Sequence, residues 1–398
     1  MFGWEFPPHH NGGLGVACYG LTKALTKHGA EVLFVLPREI EVAPNVLAKM
    51  LFANVPSLRF SVIDTPMLPY MTAGDYEEHV AHLDGKEAKY GATLFEEIRR
   101  YAQKAGLLAQ SEEFDVIHAH DWLTFLAGQE AKRVSGKPLI LHVHLDAFQQ
   151  AGGEHADPRV YEIEKNAFDT ADGIIANSER TRQSLINNYD VDGSKVRTIN
   201  NAIDLEEYVY NPGLLTEIKS RGKRVVLYAG RLSLHKGPDY FIRAARIVAD
   251  HIPDAVFVLA GAGDKLHQMI DLVASLGLSE KFIILGRPYT QEEGKQLMSD
   301  ADVYVLPSVA EPFGLVALEA MVLKSPTVIS RQSGVADVLK NVLKVDFWDT
   351  EHMADMIIAL LQYGTLHKTL QEQGESEARL HSWDRTAAEC LEYYETLK

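Results

Sequence analysis

Short apolar runs alternate with longer helical patterns along the whole chain. Each run has the length of a strand and is bounded by glycine, proline or charged residues, which is typical of parallel strands buried on both faces. The runs lie at 30–38, 115–122, 137–145, 173–177 and 195–200, and again at 224–230, 255–261, 281–286, 302–307 and 325–330. Between them, apolar residues recur at helical spacing, as in 237–252. This alternation predicts an α/β fold with parallel sheets.

The strands form two series, separated by a polar stretch with glycine and proline at 211–223. We therefore predict two doubly wound, Rossmann-like domains, an N-terminal one over 1–205 and a C-terminal one over 206–380. The last helical pattern, 381–398, is a candidate to pack back on the N-terminal domain. Ligands are expected at the carboxyl ends of the strands. Two such domains facing each other would enclose a central cleft.

The composition narrows the range of partners. The 398 residues carry a net charge of −16, and both halves are acidic, which disfavours a nucleic acid partner and weakly disfavours an anionic membrane. No apolar run approaches the ~20 residues of a membrane span, and the first residues resemble no secretion signal. The two cysteines, Cys18 and Cys390, form no disulfide framework. These features predict a cytoplasmic protein without a membrane span.

A glycine-rich turn, Asn-Gly-Gly-Leu-Gly at 11–15, follows a short first strand and opens a helix. Glycines allow close backbone approach and helix N-termini attract anions. Gly12, Gly13 and Leu14 are therefore candidates to contact a phosphate or a sugar, the alternative being a plain tight turn. Cys18 stands where a dinucleotide motif needs its third glycine, and no acid ends the next strand. A nicotinamide enzyme is thus disfavoured.

Two cations follow the first strand of the second series. Arg231 stands at the strand end, and Lys236 precedes the next helix. Both are expected on the ligand side of the sheet, where a planar guanidinium and a compact ammonium would suit a diphosphate. The alternative is that they are two solvated loop charges.

Two carboxylates flank an apolar Pro-Phe-Gly turn near the end of the second series. Glu311 precedes the turn, and Glu319 lies about one turn inside the helix that follows it. The free N–H groups at the start of this helix can meet a phosphate, while Glu319 reaches a ribose and Glu311 an attached sugar. The alternative is two exposed acids on a surface helix. The predicted donor-binding residues of this segment are Phe313, Gly314, Leu315, Val316 and Glu319.

These motifs resemble those of the retaining glycosyltransferases of the GT-B fold, glycosyltransferase family 4. The resemblance covers nearly the whole chain and is most specific in Gly-Arg-x4-Lys-Gly at 230–237 and Glu-Pro-Phe-Gly-Leu-x3-Glu-Ala at 311–320. In the N-terminal half, the glycine-rich turn and His-Ala-His-Asp-Trp at 118–122 are similar to bacterial glycogen and starch synthases. Ala202 departs from the pattern, because the family has glycine there.

The resemblance implies transfer of a hexose, expected to be glucose, from ADP-glucose or UDP-glucose with retention at the anomeric carbon. The implied acceptor is an α-1,4-glucan, and a small sugar, a phosphosugar or a lipid-linked glycan is the alternative. Arg231 and Lys236 would stabilise the leaving diphosphate, Glu311 would orient the sugar, Glu319 would hold the ribose and His144 would contact the sugar. We expect no cofactor and no catalytic metal. The base of the donor and the oligomeric state stay open.

Two rival activities stay open at this point. A hydrolase would use Glu311 and Glu319 as acid and nucleophile, and a sugar-nucleotide epimerase on a similar fold would need no acceptor. Histidines at 118, 120, 142 and 144 stand two apart on their strands, so each pair faces one side. They could bind a metal ion, but no acidic or cysteine ligand is spaced beside them. We therefore predict no metal site.

Overall fold

The structure is a computed structural model that describes residues 1–6, 13–36, 58–67, 73–82, 90–151 and 156–397. Contacts between residues divide the chain into two compact units. The first unit comprises Met1–Ala202 together with the chain from Trp383 onward, and the second comprises Ile203–Ser382. No helix in the described ranges has the length and apolarity needed to cross a bilayer.

Strands and helices alternate through both units. The described strands are β1 (Val32–Leu36), β2 (Leu58–Val62), β3 (Ile117–His120), β4 (Leu139–Val143), β5 (Gly173–Ala176), β6 (Val196–Thr198), β7 (Arg224–Ala229), β8 (Ala255–Ala260), β9 (Phe282–Ile284), β10 (Val303–Leu306), β11 (Thr327–Ser330) and β12 (Leu343–Val345). The described helices are α1 (Gly13–Lys27), α2 (Ala73–Ala81), α3 (Leu94–Ser111), α4 (Trp122–Ser135), α5 (Ala147–Gln150), α6 (Pro158–Thr170), α7 (Glu179–Tyr189), α8 (Thr216–Ser220), α9 (Pro238–His251), α10 (Leu266–Ser275), α11 (Gln291–Asp300), α12 (Leu315–Val322), α13 (Thr350–Gln362), α14 (Gly364–Ala378) and α15 (Trp383–Glu395).

The sheet of the first unit is parallel and is joined across its middle by Phe2. Strand β1 pairs with β2, and β3 to β6 pair in sequence order. Phe2 bridges Val35 of β1 and Ala119 of β3, and its N–H donates to the carbonyl of His118 at 2.8 Å. The order among the described residues is therefore β2, β1, Phe2, β3, β4, β5, β6. From Phe2 the chain first adds β1 and β2 on one side and then crosses to add β3 to β6 on the other side. The topological switch point of this sheet therefore lies between Phe2 and β3.

The last helix of the chain, α15, completes the first unit. An added Cβ at Gly20 of α1 would lie 2.2 Å from the indole nitrogen of Trp383, so only glycine lets the two helices approach this closely. The hydroxyl of Tyr393 donates to the carbonyl of Lys195 at 2.8 Å and accepts from the N–H of Ile174 at 3.3 Å. Residues from the end of the sequence therefore stabilise the sheet of the first unit.

The sheet of the second unit has the order β12, β11, β10, β7, β8, β9, and its pairings are parallel. Its switch point lies between β7 and β10, so the loops after these two strands border the crevice where such sheets bind ligands. Helix α9 follows β7 and buries an apolar face of Phe241, Ile242, Ala245 and Val248 against this sheet.

The predicted α/β fold with two Rossmann-like sheets is confirmed. Each of the ten predicted strands is present, and strands such as β4 and β10 are buried along their whole length, which explains why their sequences are mainly apolar. The sequence interpretation missed β2 and β12, which lie at the outer edges of their sheets.

Candidate functional site

The loop after β7 carries both predicted cations. Arg231 is exposed, and Lys236 ends a short 3-10 turn that leads into α9. Gly237 follows with a φ of 63°, and an added Cβ there would lie 2.3 Å from the carbonyl oxygen of Pro307 in the loop after β10. Glycine is thus required at this position. The two loops that border the switch point are therefore in close backbone contact.

Lys236 and Glu311 form an ion pair between these two loops. The Lys236 Nζ lies 2.5 Å from Glu311 Oε2, and the hydroxyl of Ser308 donates to the same oxygen at 3.3 Å. The side chains are only 24% and 10% exposed, respectively. Because the pair is largely withdrawn from water, its attraction is screened less than that of a surface pair. The switch point therefore holds a fixed cation beside a fixed carboxylate.

Helix α12 begins beside Glu311. Gly314 precedes the helix with a φ of 105°, and an added Cβ there would lie 3.2 Å from Glu311 Cγ. The carbonyl of Phe313 accepts a backbone N–H from the next loop at 2.7 Å, which fixes the turn. The N–H groups of Leu315 and Val316, at the helix start, have no acceptor within the helix. The structure thus brings together Lys236, Glu311 and these N–H groups.

Glu319 has an internal partner that sequence reasoning missed. The hydroxyl of Tyr208 donates to Glu319 Oε1 at 2.9 Å. Burial raises the pKa of the Glu319 carboxyl, while this hydrogen bond and the charge of Lys295 oppose the rise. Tyr208 lies far from Glu319 in sequence, and no pattern around it signalled the contact. The two glutamates are therefore bound to different partners.

The charges of the loop after β7 act together on His235. Burial lowers the pKa of this imidazole, and the positive charges of Lys236 and Arg231 lower it further, against the opposing charge of Glu311. Arg231 and Lys236 are thus close enough to influence the same ring. The carboxyl end of β7 thus carries two cations, and the carboxylate of Glu311 lies close enough to oppose them.

In the first unit, α1 begins at Gly13, which is exposed, and Leu14 is partly buried. Gly12 lies outside the described residues. The N–H of Gly15 donates to Glu5 Oε2 at 3.2 Å, and Glu5 is buried. A carboxylate of the protein itself therefore satisfies one of the N–H groups at the helix start where the sequence predicts a phosphate or a sugar.

His144 lies directly after β4, at the carboxyl edge of the same sheet. Its backbone N–H donates to Asp121 Oδ1 at 2.7 Å, and its ring Nε2 lies 3.0 Å from His120 Nδ1. Burial lowers the pKa of His144 to about 3, so the ring is neutral at physiological pH. The other ring nitrogen, Nδ1, has no hydrogen-bond partner among the described residues. Asp121 has a φ of 57°, an uncommon conformation that often accompanies function.

Comparison with known proteins decides the family. The model of Glycosyltransferase Family 4 matches residues 11–207, and the model of Glycosyl transferases group 1 matches residues 216–377. The chain is 32% identical over 308 residues to a D-inositol 3-phosphate glycosyltransferase of Salinispora arenicola, which covers 71% of this chain and 68% of that protein. The protein belongs to the family 4 glycosyltransferases.

Two further likenesses extend over the whole of this family 4 glycosyltransferase. It is 28% identical over 410 residues to an uncharacterized glycosyltransferase of Methanocaldococcus jannaschii, which covers 99% of this chain and 97% of that one. The crystal structure of Anabaena HepE, in complex with UDP and glucose, matches with a TM-score of 0.74 at 19% identity and covers 99% of each chain. The second likeness shows the fold, and the predicted GT-B class is confirmed.

Proposed function

We propose that this family 4 glycosyltransferase moves a hexose from a nucleoside diphosphate sugar to an acceptor with retention at the anomeric carbon. The observation that carries the proposal is the switch point of the second unit, where Lys236, Glu311 and the start of α12 converge. A diphosphate needs cations and N–H donors, and a sugar needs hydrogen-bond acceptors, and this edge of the sheet supplies both. The UDP and glucose in Anabaena HepE, which has the same fold, support this choice of donor.

The leaving group sets the main chemical demand. When the bond between the anomeric carbon and the phosphate oxygen breaks, negative charge develops on the diphosphate. Arg231, Lys236 and the N–H groups of Leu315 and Val316 stabilise that charge, and preorganised donors of this kind contribute ~3–4 kcal/mol each. Because the protein supplies these donors, this step needs no metal ion at the diphosphate.

The carboxylates and His144 position the rest of the donor. Glu311 accepts hydrogen bonds from sugar hydroxyls while holding Lys236 in place. Glu319 binds the ribose, sharing or replacing its hydrogen bond with Tyr208. His144, as a neutral ring with an unpartnered nitrogen, hydrogen-bonds the sugar. The acceptor oxygen bonds to the anomeric carbon on the face that the phosphate leaves, and its proton passes to the departing phosphate oxygen.

For the acceptor, two classes are supported by different observations. The N-terminal motifs resemble those of glycogen and starch synthases, which favours an α-1,4-glucan and a glucosyl donor carried on ADP or UDP. The relative at 32% identity is named for inositol 3-phosphate, which favours a small phosphorylated polyol. The glycosidase alternative is disfavoured because Glu311 and Glu319 are held by separate partners, Lys236 and Tyr208.

Incubation with radiolabelled UDP-glucose and ADP-glucose tests the proposal. Each donor is offered with maltooligosaccharides and, separately, with inositol 3-phosphate. Label that enters one of these acceptors with α configuration, determined by NMR, supports retaining transfer and identifies the acceptor class. An altered sugar that stays on its nucleotide would indicate an epimerase. Rapid release of free sugar from a glycoside, without any nucleotide, would indicate a hydrolase and contradict the proposal.

A further inference from the structure

The first unit contains a group of four buried histidines that the proposed transfer uses only in part. His120 lies opposite His142 in the sheet register, and His118 and His144 lie two residues away on the same face. The centroids of neighbouring rings are between 4.1 and 5.2 Å apart. None of the four residues is more than 7% exposed. Among these rings, the proposed transfer assigns a role to His144 alone.

Hydrogen bonds within the group leave several nitrogens unsatisfied. His118 Nε2 lies 3.1 Å from His142 Nδ1, and His120 Nδ1 lies 3.0 Å from His144 Nε2. Among the described residues, His120 Nε2, His142 Nε2 and His144 Nδ1 have no hydrogen-bond partner. Buried polar atoms without partners are unfavourable and call for an explanation. A cation bound among His118, His120 and His142 would supply the missing partner of His120 Nε2.

The spacing of the rings is compatible with a metal ion. One ring nitrogen each from His118, His120 and His142 lies within 4.8 Å of the other two. In a tetrahedral zinc site with bonds of about 2.0–2.1 Å, two ligand nitrogens lie ~3.3 Å apart. The separation of 3.1 Å between His118 and His142 is already close to this value. Rotation of the His120 ring toward this pair would allow one nitrogen from each of the three rings to bind the same metal ion.

The surroundings of His118 resemble those of a metal ligand. Its Nδ1 lies 2.6 Å from the hydroxyl of Tyr394 in α15, which leaves Nε2 to face the other rings. In metal sites, the nitrogen that does not bind the metal is usually fixed by such a partner.

Carboxylates near the group can offset the charge of a cation. Asp121 directly follows His120, and its Oδ1 accepts the backbone N–H of His144 at 2.7 Å. Glu5 is buried and close enough to Asp121 for their charges to interact. A divalent ion in a dry site is tolerated only where such negative charge is close. This part of the unit thus holds two carboxyl groups whose negative charge would offset that of a cation.

Against the sequence-based expectation of no metal site, we propose that His118, His120 and His142 bind one divalent transition-metal ion of the zinc type. Imidazole ligands favour zinc and similar ions over magnesium or calcium, which prefer oxygen. The ion would link β3 and β4 and, through Tyr394, α15, so it would stabilise the first unit. This site is independent of the proposed transfer, because the predicted diphosphate ligands Arg231 and Lys236 belong to the second unit.

Titration of the untagged, full-length protein with Co²⁺ tests this site directly. We expect a visible absorption band of tetrahedral cobalt that saturates at one ion per chain and disappears when Zn²⁺ is added. The melting temperature should rise with either metal. A titration that gives no tetrahedral band and no change in melting temperature would overturn the proposal, since the four rings would then be a metal-free stack.

Variants separate this site from adventitious binding. His142→Asn and His118→Asn, checked by circular dichroism for an unchanged fold, should weaken Co²⁺ binding at least ~100-fold, and Tyr394→Phe should weaken it by about tenfold, as for a group that orients a ligand. His251→Asn, at an exposed histidine of α9, is the matched control and should bind like the wild type. Binding that keeps its stoichiometry and affinity in His142→Asn would contradict the proposal. Should both ligand variants fail to fold, the wild-type titration still decides.

Discussion

The two sheets share a strand order around the switch point, yet the residues at that point differ in charge. In the second unit, the carboxyl ends of β7 and β10 present an ion pair, Lys236 and Glu311, with exposed Arg231 nearby. In the first unit, β3 borders the switch point, and the carboxyl ends of β3 and of its neighbour β4 carry neutral, buried imidazoles. In such sheets the topology favours ligand binding at the switch point. We propose that the residue types at the strand ends decide the chemistry that each unit offers there.

Loss of the cation in the second unit should have the largest effect. Lys236→Ala is expected to lower kcat/KM for transfer at least ~100-fold, because it removes a preorganised donor to the leaving diphosphate. The measurement is the initial rate of transfer from the labelled nucleotide sugar. Lys368→Ala, at an exposed lysine of the same unit, is the control and should keep the wild-type rate. Near-normal turnover in folded Lys236→Ala would contradict the assigned role.

The ion pair should behave as one functional group. Glu311→Ala alone is expected to lower the transfer rate by about 100-fold. The double variant Lys236→Ala/Glu311→Ala should be only slightly slower than either single variant, because residues that act as a unit are not additive. A double-mutant cycle on kcat/KM measures this coupling. Losses that multiply would show that the two side chains act independently.

Loss of the neutral His144 in the first unit should have a smaller effect. His144→Ala removes one uncharged hydrogen bond to the sugar, worth about 1 kcal/mol, so transfer should fall by roughly tenfold or less. Burial lowers the pKa of His144 to about 3, so the ring stays neutral near pH 7. The transfer rate of the wild type should therefore show no pH dependence near neutrality that the His144→Ala variant lacks. A pH–rate profile of the wild type and His144→Ala checks both points. A loss as large as that in Lys236→Ala would remove the distinction between the two switch points.

Replacement of Glu319 should have the smallest effect, which is a change in how thermal stability depends on pH. Burial raises the pKa of this carboxyl, so the folded state favours its protonated form. That contribution to stability is fully present below the ordinary pKa of glutamate, ~4.3, and is lost as the pH rises through the folded pKa. The Tm of Glu319→Gln minus that of the wild type should therefore increase from acidic to neutral pH. The variant should also bind UDP more weakly. A difference in Tm that does not change with pH would contradict this assignment.

The sequence was most informative where strands are buried on both faces. Strands such as β7 and β10 have continuous apolar sequences and clear glycine or proline boundaries, so both could be predicted. Strand β2 has only partly buried and exposed residues, and β12 has only three residues, so neither gives that signal. Edge strands owe their pairing to a neighbour that is distant in sequence, which a local pattern does not show.

Residues of the candidate site could be predicted where they belong to a compact motif. The segment from Glu311 to Glu319 lies in one loop and the helix after it, so spacing alone placed both carboxylates. The partners that hold these residues were not predictable. Tyr208 reaches Glu319 from more than one hundred positions away in sequence, and the contact between His118 and Tyr394 joins distant parts of the chain. Such contacts arise from tertiary packing, which periodicity and spacing do not encode.

A crystal structure of the protein with UDP tests the central claim most directly. The account predicts that the diphosphate lies at the switch point of the second unit, contacting Arg231, Lys236 and the N–H groups of Leu315 and Val316. It also predicts that the ribose lies within hydrogen-bond distance of Glu319. Ordered UDP at another place, with these groups making no contact to phosphate, would contradict the account.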